Sequence, residues 1–115
     1  MKKIEAIIKP YKLDIIKTAL AEVGVDAMTA TDVRYVKTAR SRSGCSFNGG
    51  LQQPKMKVEV FLIDDLVEVA LSAIVGTMKS ARSAEGEVFV SSITDAIGIR
   101  TGDHGNGVVA HIFER

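Results

Sequence analysis

A single cysteine, Cys45, excludes an intramolecular disulfide framework and fits a reducing compartment. Neither Cys-x-x-Cys nor His-Glu-x-x-His occurs, so a bound metal has no motif to support it. Gly-x-x-x-x-Gly-Lys-Ser/Thr and Gly-x-Gly-x-x-Gly are absent too, which removes the two commonest nucleotide fingerprints. Lys and Arg number 15 against 14 Asp and Glu, a net charge of +1. That balance lacks the cation surplus on which phosphate affinity depends, and no nucleic-acid partner is expected. Basic residues gather only locally, at Arg34, Lys37, Arg40 and Arg42. No apolar run approaches the roughly eighteen residues of a membrane-spanning helix, and the start, with Glu5 and Pro10 interrupting it, does not fit a secretory signal. A cytoplasmic protein is the expectation. The histidines, His104 and His111, have no acid, base or nucleophile paired with them in sequence, so the chain reads as non-enzymatic.

What is present is an ordinary globular composition: 115 residues, 46% hydrophobic and 25% charged. The length suits one domain with a core modest enough to gain from oligomerisation. Ile4, Ala6 and Ile8 alternate with Lys3, Glu5 and Ile7 and predict a first strand ending at Lys9-Pro10. Leu13, Ile16, Ala19, Leu20 and Val23 recur at helical spacing over Lys12 to Val23, with Gly24 placed to stop the helix. Ala27 to Val36 predicts a second strand and Lys55 to Ile63 a third, the two forming a long hairpin. Asp64-Asp65 opens a second helix over Leu66 to Val75, which Gly76 closes or frays. Val88 to Ile93 predicts a fourth strand, and Val108 to Phe113 a further short one. Strand, helix, strand, repeated once, implies an α+β fold: a ferredoxin-like double βαβ sandwich with two helices on one face of an antiparallel sheet. Asp14-x-x-x-x-Ala-Leu20 echoes as Asp65-x-x-x-x-Ala-Leu71, in keeping with two related halves.

Two segments fit neither period. Lys37 to Pro54 is rich in Gly and Ser, with an Asn-Gly pair and a closing proline, and reads as a solvated connection. A loop that long within one domain is usually functional. Thr77 to Glu87 is polar and short-sided, so its backbone amides could approach an anion, with Arg82 as a further donor. Arg100, just after the last main strand, could reach the same place. The residues alone leave these arginines open between an anion site and a solvated surface.

The order and spacing of Met1-Lys-Lys-Ile-Glu-Ala-Ile-Ile-Lys-Pro-Tyr-Lys-Leu-Asp14, Ala19-Leu-Ala-Glu-Val-Gly24, Met28-Thr29, Pro54-Lys-Met-Lys-Val-Glu-Val60, Asp64-Asp65 and Ile99-Arg-Thr-Gly102 resemble the PII signal-transduction family across residues 1–102. The resemblance implies a homotrimer that binds adenine nucleotides in clefts between subunits. It makes 37–54 the T-loop that docks on transporters, enzymes or regulators, and 77–87 the B-loop that wraps phosphates. By position, Thr29 and Phe61 correspond to residues beside the adenine. Arg82, Glu85 and Gly86 correspond to B-loop phosphate positions, and Arg100 to an arginine reaching in from the neighbouring subunit. In the T-loop, Arg40, Arg42, Cys45 and Phe47 are the candidate target contacts. Residues 103–115 form a C-terminal extension whose apolar Val108, Val109, Ile112 and Phe113 imply that it docks.

Departures from the family pattern narrow the expectation. Tyr35 and Lys37 replace glycines at the start of the T-loop, Ala81 and Ala84 replace B-loop glycines, Glu87 replaces a basic residue, and Gly98 replaces a second arginine. One cation fewer and one carboxylate more beside a polyphosphate favour ADP or AMP over ATP with magnesium. Ala39 or a neighbour stands where a glutamine helps hold 2-oxoglutarate, and the loop has no tyrosine to modify. The reading is a non-enzymatic regulator that controls a membrane transporter or a regulatory enzyme through its T-loop. A second small effector such as bicarbonate is open, and a metal is not expected. The competing reading is a nucleotide-independent oligomeric scaffold or metal-linked tolerance factor acting through Cys45, His104 and His111.

Overall fold

In β1 (Lys2–Ile8), Ile4, Ala6 and Ile8 are buried and the residues between them only half buried, the outcome of side chains alternating across a strand. The structure is a computed structural model that describes residues 1–25, 27–38, 52–79 and 86–110. After β1 come a 3-10 turn (Pro10–Lys12), α1 (Leu13–Glu22), β2 (Thr29–Val36) and β3 (Gln52–Leu62). A second 3-10 turn (Asp64–Leu66) leads into α2 (Val67–Lys79), β4 (Glu87–Ser92) and the short α3 (Asn106–Ala110). The strand order is β2-β3-β1-β4, every neighbouring pair antiparallel. With α1 packed on α2 over this sheet, the chain has the α+β ferredoxin-like arrangement.

Register builds the core. Ile4 pairs with Val60 and Ala6 with Val58, so the apolar faces of β1 and β3 merge. Ile16 and Leu20 of α1, and Ala70, Ile74 and Met78 of α2, close over them. Each fully buried Val, Leu or Ile side chain contributes about 1.5–3 kcal/mol relative to exposure. Lys12 is one of two buried charged residues among those described: its stem carries an Nζ that donates to the Thr77 carbonyl oxygen at 3.1 Å. That bond fastens the start of α1 to the last turn of α2, where a helix favours a cation.

Several boundaries differ from the sequence reading. Gly76 does not close α2; the helix runs through it to Lys79, taking in residues assigned above to the B-loop. Met78 lies four residues after Ile74 and is buried with it, so packing carries the helix past the glycine. A Cβ at Gly76 would meet nothing within 4 Å. Gly76→Ala is therefore expected to stabilise the fold by about 0.5–1 kcal/mol, through the helix preference for alanine. A rise in the denaturation midpoint at unchanged slope measures it.

β3 begins at Gln52, inside the segment read as loop, and its first residues pair with Arg34–Val36 of β2. β1 pairing stops at Met56, so Pro54 has a strand on one side only and its missing N–H costs little. β2 starts at Thr29 rather than Ala27, and β4 is displaced by one residue at each end. The strand expected from Val108 is also corrected: Asn106–Ala110 is helical. A short apolar run fits either period, and here Val109 buries itself from a helix. No helix among the described residues is long and apolar enough to cross a membrane.

Candidate functional site

Two of the cavities along the sheet gather the sequence-predicted site residues. One, of about 200 Å³, is lined by Ile7, Tyr35, Lys37, Gln53, Lys55, Gly86 and Glu87. Register assembles it: Tyr35 pairs with Gln53, and Ile7 with Glu87. The Lys55 stem is buried and its Nζ stands 5.6 Å from the Tyr35 ring centroid, a cation–π contact that fixes a positive charge on this wall. Lys37 brings a second cation to the same cavity and Glu87 a carboxylate. Gly86 enters with φ +130, a backbone that side chains rarely adopt. This cavity suits an anion small enough to stay clear of Glu87.

The other cavity, of about 400 Å³, is predominantly apolar and is lined among others by Met28, Thr29, Glu59, Phe61, Val108 and Val109. Thr29 and Glu59 face each other across β2 and β3, and the Thr29 hydroxyl lies 3.5 Å from Glu59 Oε1. Glu59 is half buried, and its Oε2 takes a 3.5 Å contact from Lys3 Nζ. The Lys3 ammonium is held above its usual range, chiefly by its hydrogen bond to Glu5, with Glu59 adding to it. Phe61 is 41% exposed, so its ring has a free surface. An apolar slot with one hydroxyl and one carboxylate at its rim suits a flat heterocycle carrying donor groups.

Thr29 and Phe61 thus share a cavity, whereas Gly86 belongs to the other. Phe61 pairs with Lys3 on β1, and Gly86 approaches the Ile7 carbonyl. Four residues of strand separate them, about 14 Å at a rise of about 3.4 Å per residue. One chain does not bring the two cavities together. Arg100 is exposed on a loop after β4. Arg82 and Glu85, and the T-loop candidates Arg40, Arg42, Cys45 and Phe47, lie outside the described residues, as does His111.

Three features went unread in the sequence. Lys55 looked like an ordinary solvent-side residue of an alternating strand but is buried. Val108 and Val109 wall the Thr29 cavity from an element expected to be a strand. His104 is not simply solvated: its Nδ1 lies 3.1 Å from Asp95 Oδ2. No group of three or more His, Cys, Asp or Glu among the described residues could hold a metal ion.

A family profile described as "Nitrogen regulatory protein P-II" matches residues 1–103. The nitrogen regulatory protein P-II of Rhodobacter capsulatus is 40% identical over 114 residues, covering 95% of this chain and all of that protein. Its counterpart in Bradyrhizobium diazoefficiens is 44% identical over 110 residues, 91% of this chain and 96% of the relative. Nitrogen regulatory protein P-II 1 of Escherichia coli K12 is 36% identical over 114 residues, covering 95% and 100%. Proteins of this kind are regulatory signal transducers rather than enzymes; the family binds adenine nucleotides and typically forms trimers. From its profile match, its near full-length relatives and its ferredoxin-like sheet, the chain belongs to the PII family of signal-transduction regulators.

Proposed function

We propose that this chain assembles as a homotrimer that binds an adenine nucleotide, ADP or AMP in preference to ATP with magnesium, in clefts between subunits. It then controls a membrane transporter through the T-loop, residues 37–54. The observation that carries the reading is the separation of the half-sites. An apolar slot at Thr29 and Phe61 and a cationic cavity at Gly86, Lys37 and Lys55 lie at opposite ends of one sheet. A base seated on one copy and its phosphates on the next would join them. The B-loop lies between the end of α2 at Lys79 and the start of β4 at Glu87, with Arg82 and Glu85 as its proposed phosphate contacts, and Arg100 of the neighbouring copy adds a cation.

Glu87 supports the preference for fewer phosphates. Its carboxylate lines the cavity beside Gly86, where a third phosphate would approach it, and like charges at short range in a partly dry cleft repel. Val108 and Val109, in the segment after Gly102, wall the base slot. The protein works in the cytoplasm and reaches the membrane through its target. Arg40, Arg42, Cys45 and Phe47 make the contacts there, and bicarbonate is the second effector to test on nucleotide-loaded protein.

Titration calorimetry with ATP plus magnesium, ADP and AMP tests the reading, alongside sedimentation of the free protein. Expected are heats with ADP and AMP, weaker binding of ATP, and a mass of three chains. Glu87→Gln is expected to strengthen ATP binding about fivefold, roughly the 1 kcal/mol of one screened charge repulsion, with a smaller gain for ADP. No heat with any of the three nucleotides would overturn the proposal.

A further inference from the structure

We propose that Asp95 and His104 are positioning residues: they clasp the 96–105 loop shut and so aim Arg100 at the phosphates of a nucleotide held by a neighbouring copy. The inference rests on the proposed role of Arg100 and extends it to side chains that do not touch the ligand.

The loop is closed at each level. Ile97 and His104 form an antiparallel bridge. Gly105 N–H donates to the Ala96 carbonyl at 2.9 Å, Gly98 N–H to the Asp103 carbonyl at 2.8 Å, and Gly102 N–H to the Gly98 carbonyl at 2.7 Å. Asp103 N–H donates to Thr101 Oγ1 at 3.2 Å. At the neck, Asp95 splits its carboxylate: Oδ1 accepts from Ala96 N–H at 2.8 Å and Oδ2 faces His104 Nδ1 at 3.1 Å. The Asp95 carboxyl is held below the usual carboxylate range, first by the His104 hydrogen bond and then by the Ala96 amide.

Among the described residues nothing comparable packs the tip. Ile99 is 99% exposed and Arg100 beside it is exposed too. The guanidinium therefore takes its direction from the loop frame rather than from neighbours, and the neck fixes that frame. An exposed hydrogen-bonded pair of this kind adds little to folding stability. Its effect on a binding group is larger, because affinity falls in proportion to the fraction of loops in the competent conformation.

The test compares Asp95→Ala, His104→Ala and Arg100→Ala, and each neck variant combined with Arg100→Ala, by calorimetry with ADP and with adenosine. Arg100→Ala is expected to weaken ADP about tenfold or more, as for a lost charge-assisted hydrogen bond. Each neck variant should weaken ADP about three- to tenfold and leave adenosine unchanged. Neither should add a loss once Arg100 is gone, and His104→Gln, which keeps an N–H donor, should recover part of the affinity. Melting temperatures near the wild-type value would show the fold intact. Wild-type ADP binding in both neck variants, or the same loss in the Arg100→Ala background, overturns the clasp alone. Wild-type ADP binding by Arg100→Ala itself overturns the underlying role of Arg100, and the clasp with it.

Discussion

Gly86→Ala is expected to cost the fold about 2–4 kcal/mol, the sum of a backbone that only glycine adopts readily and a crowded Cβ. At φ +130, Gly86 lies where an L side chain rarely goes, which accounts for about 1–3 kcal/mol. A Cβ built there would also run into the Met78 methyl and stand 3.0 Å from the Ile7 carbonyl oxygen. Met78 can swing aside, since only its flexible end is involved. Ile7 is backbone in the central strand β1 and cannot. Gly24 supplies the control: its φ is +96, yet a Cβ there would meet nothing within 4 Å. Gly24→Ala should lose only the dihedral part, about 1–2 kcal/mol. Urea midpoints of the two variants separate strain from crowding, and equal losses would remove the Ile7 contact from the account.

That glycine also shows where legibility in the sequence ends. The alternation of Ile4, Ala6 and Ile8 and the helical spacing of Ile16 and Leu20 were readable because one face of each element is buried, and the core holds those residues. Gly76 misled because a glycine signals a helix stop only where the chain needs a positive φ; here burial of Met78 carries α2 onward. Gln52 to Pro54 looked like loop because strand pairing with β2 is a tertiary event that local composition does not encode. Thr29 and Phe61 were found through family resemblance, and both line one apolar slot. The partnership of Asp95 with His104 could not be read at all, since backbone bonds at Gly98, Gly102 and Gly105 bring the two together across a loop without period.

Ile74→Ala is expected to cost about 2–5 kcal/mol and, unlike Gly86→Ala, to be offset by nucleotide. Ile74 is fully buried at the centre of α2, among the residues that face β1 and α1. Truncation leaves a cavity that a close-packed interior fills only in part. Domains of this size have about 5–15 kcal/mol in all, so the variant remains folded with little margin. Ile74 lines neither cavity, which leaves the proposed nucleotide cleft intact. ADP at a hundred times its dissociation constant should then stabilise the variant by about 2.7 kcal/mol, as much as it stabilises the wild type. Gly86→Ala loses similar stability but alters the cavity where phosphates are proposed to lie, so the same ADP concentration should raise its melting temperature far less. Thermal melts of the two variants, with and without ADP, therefore separate core from site. Equal stabilisation of both by ADP would remove Gly86 from the nucleotide cleft, and absence of stabilisation in Ile74→Ala would show that the cleft depends on the core beneath α2.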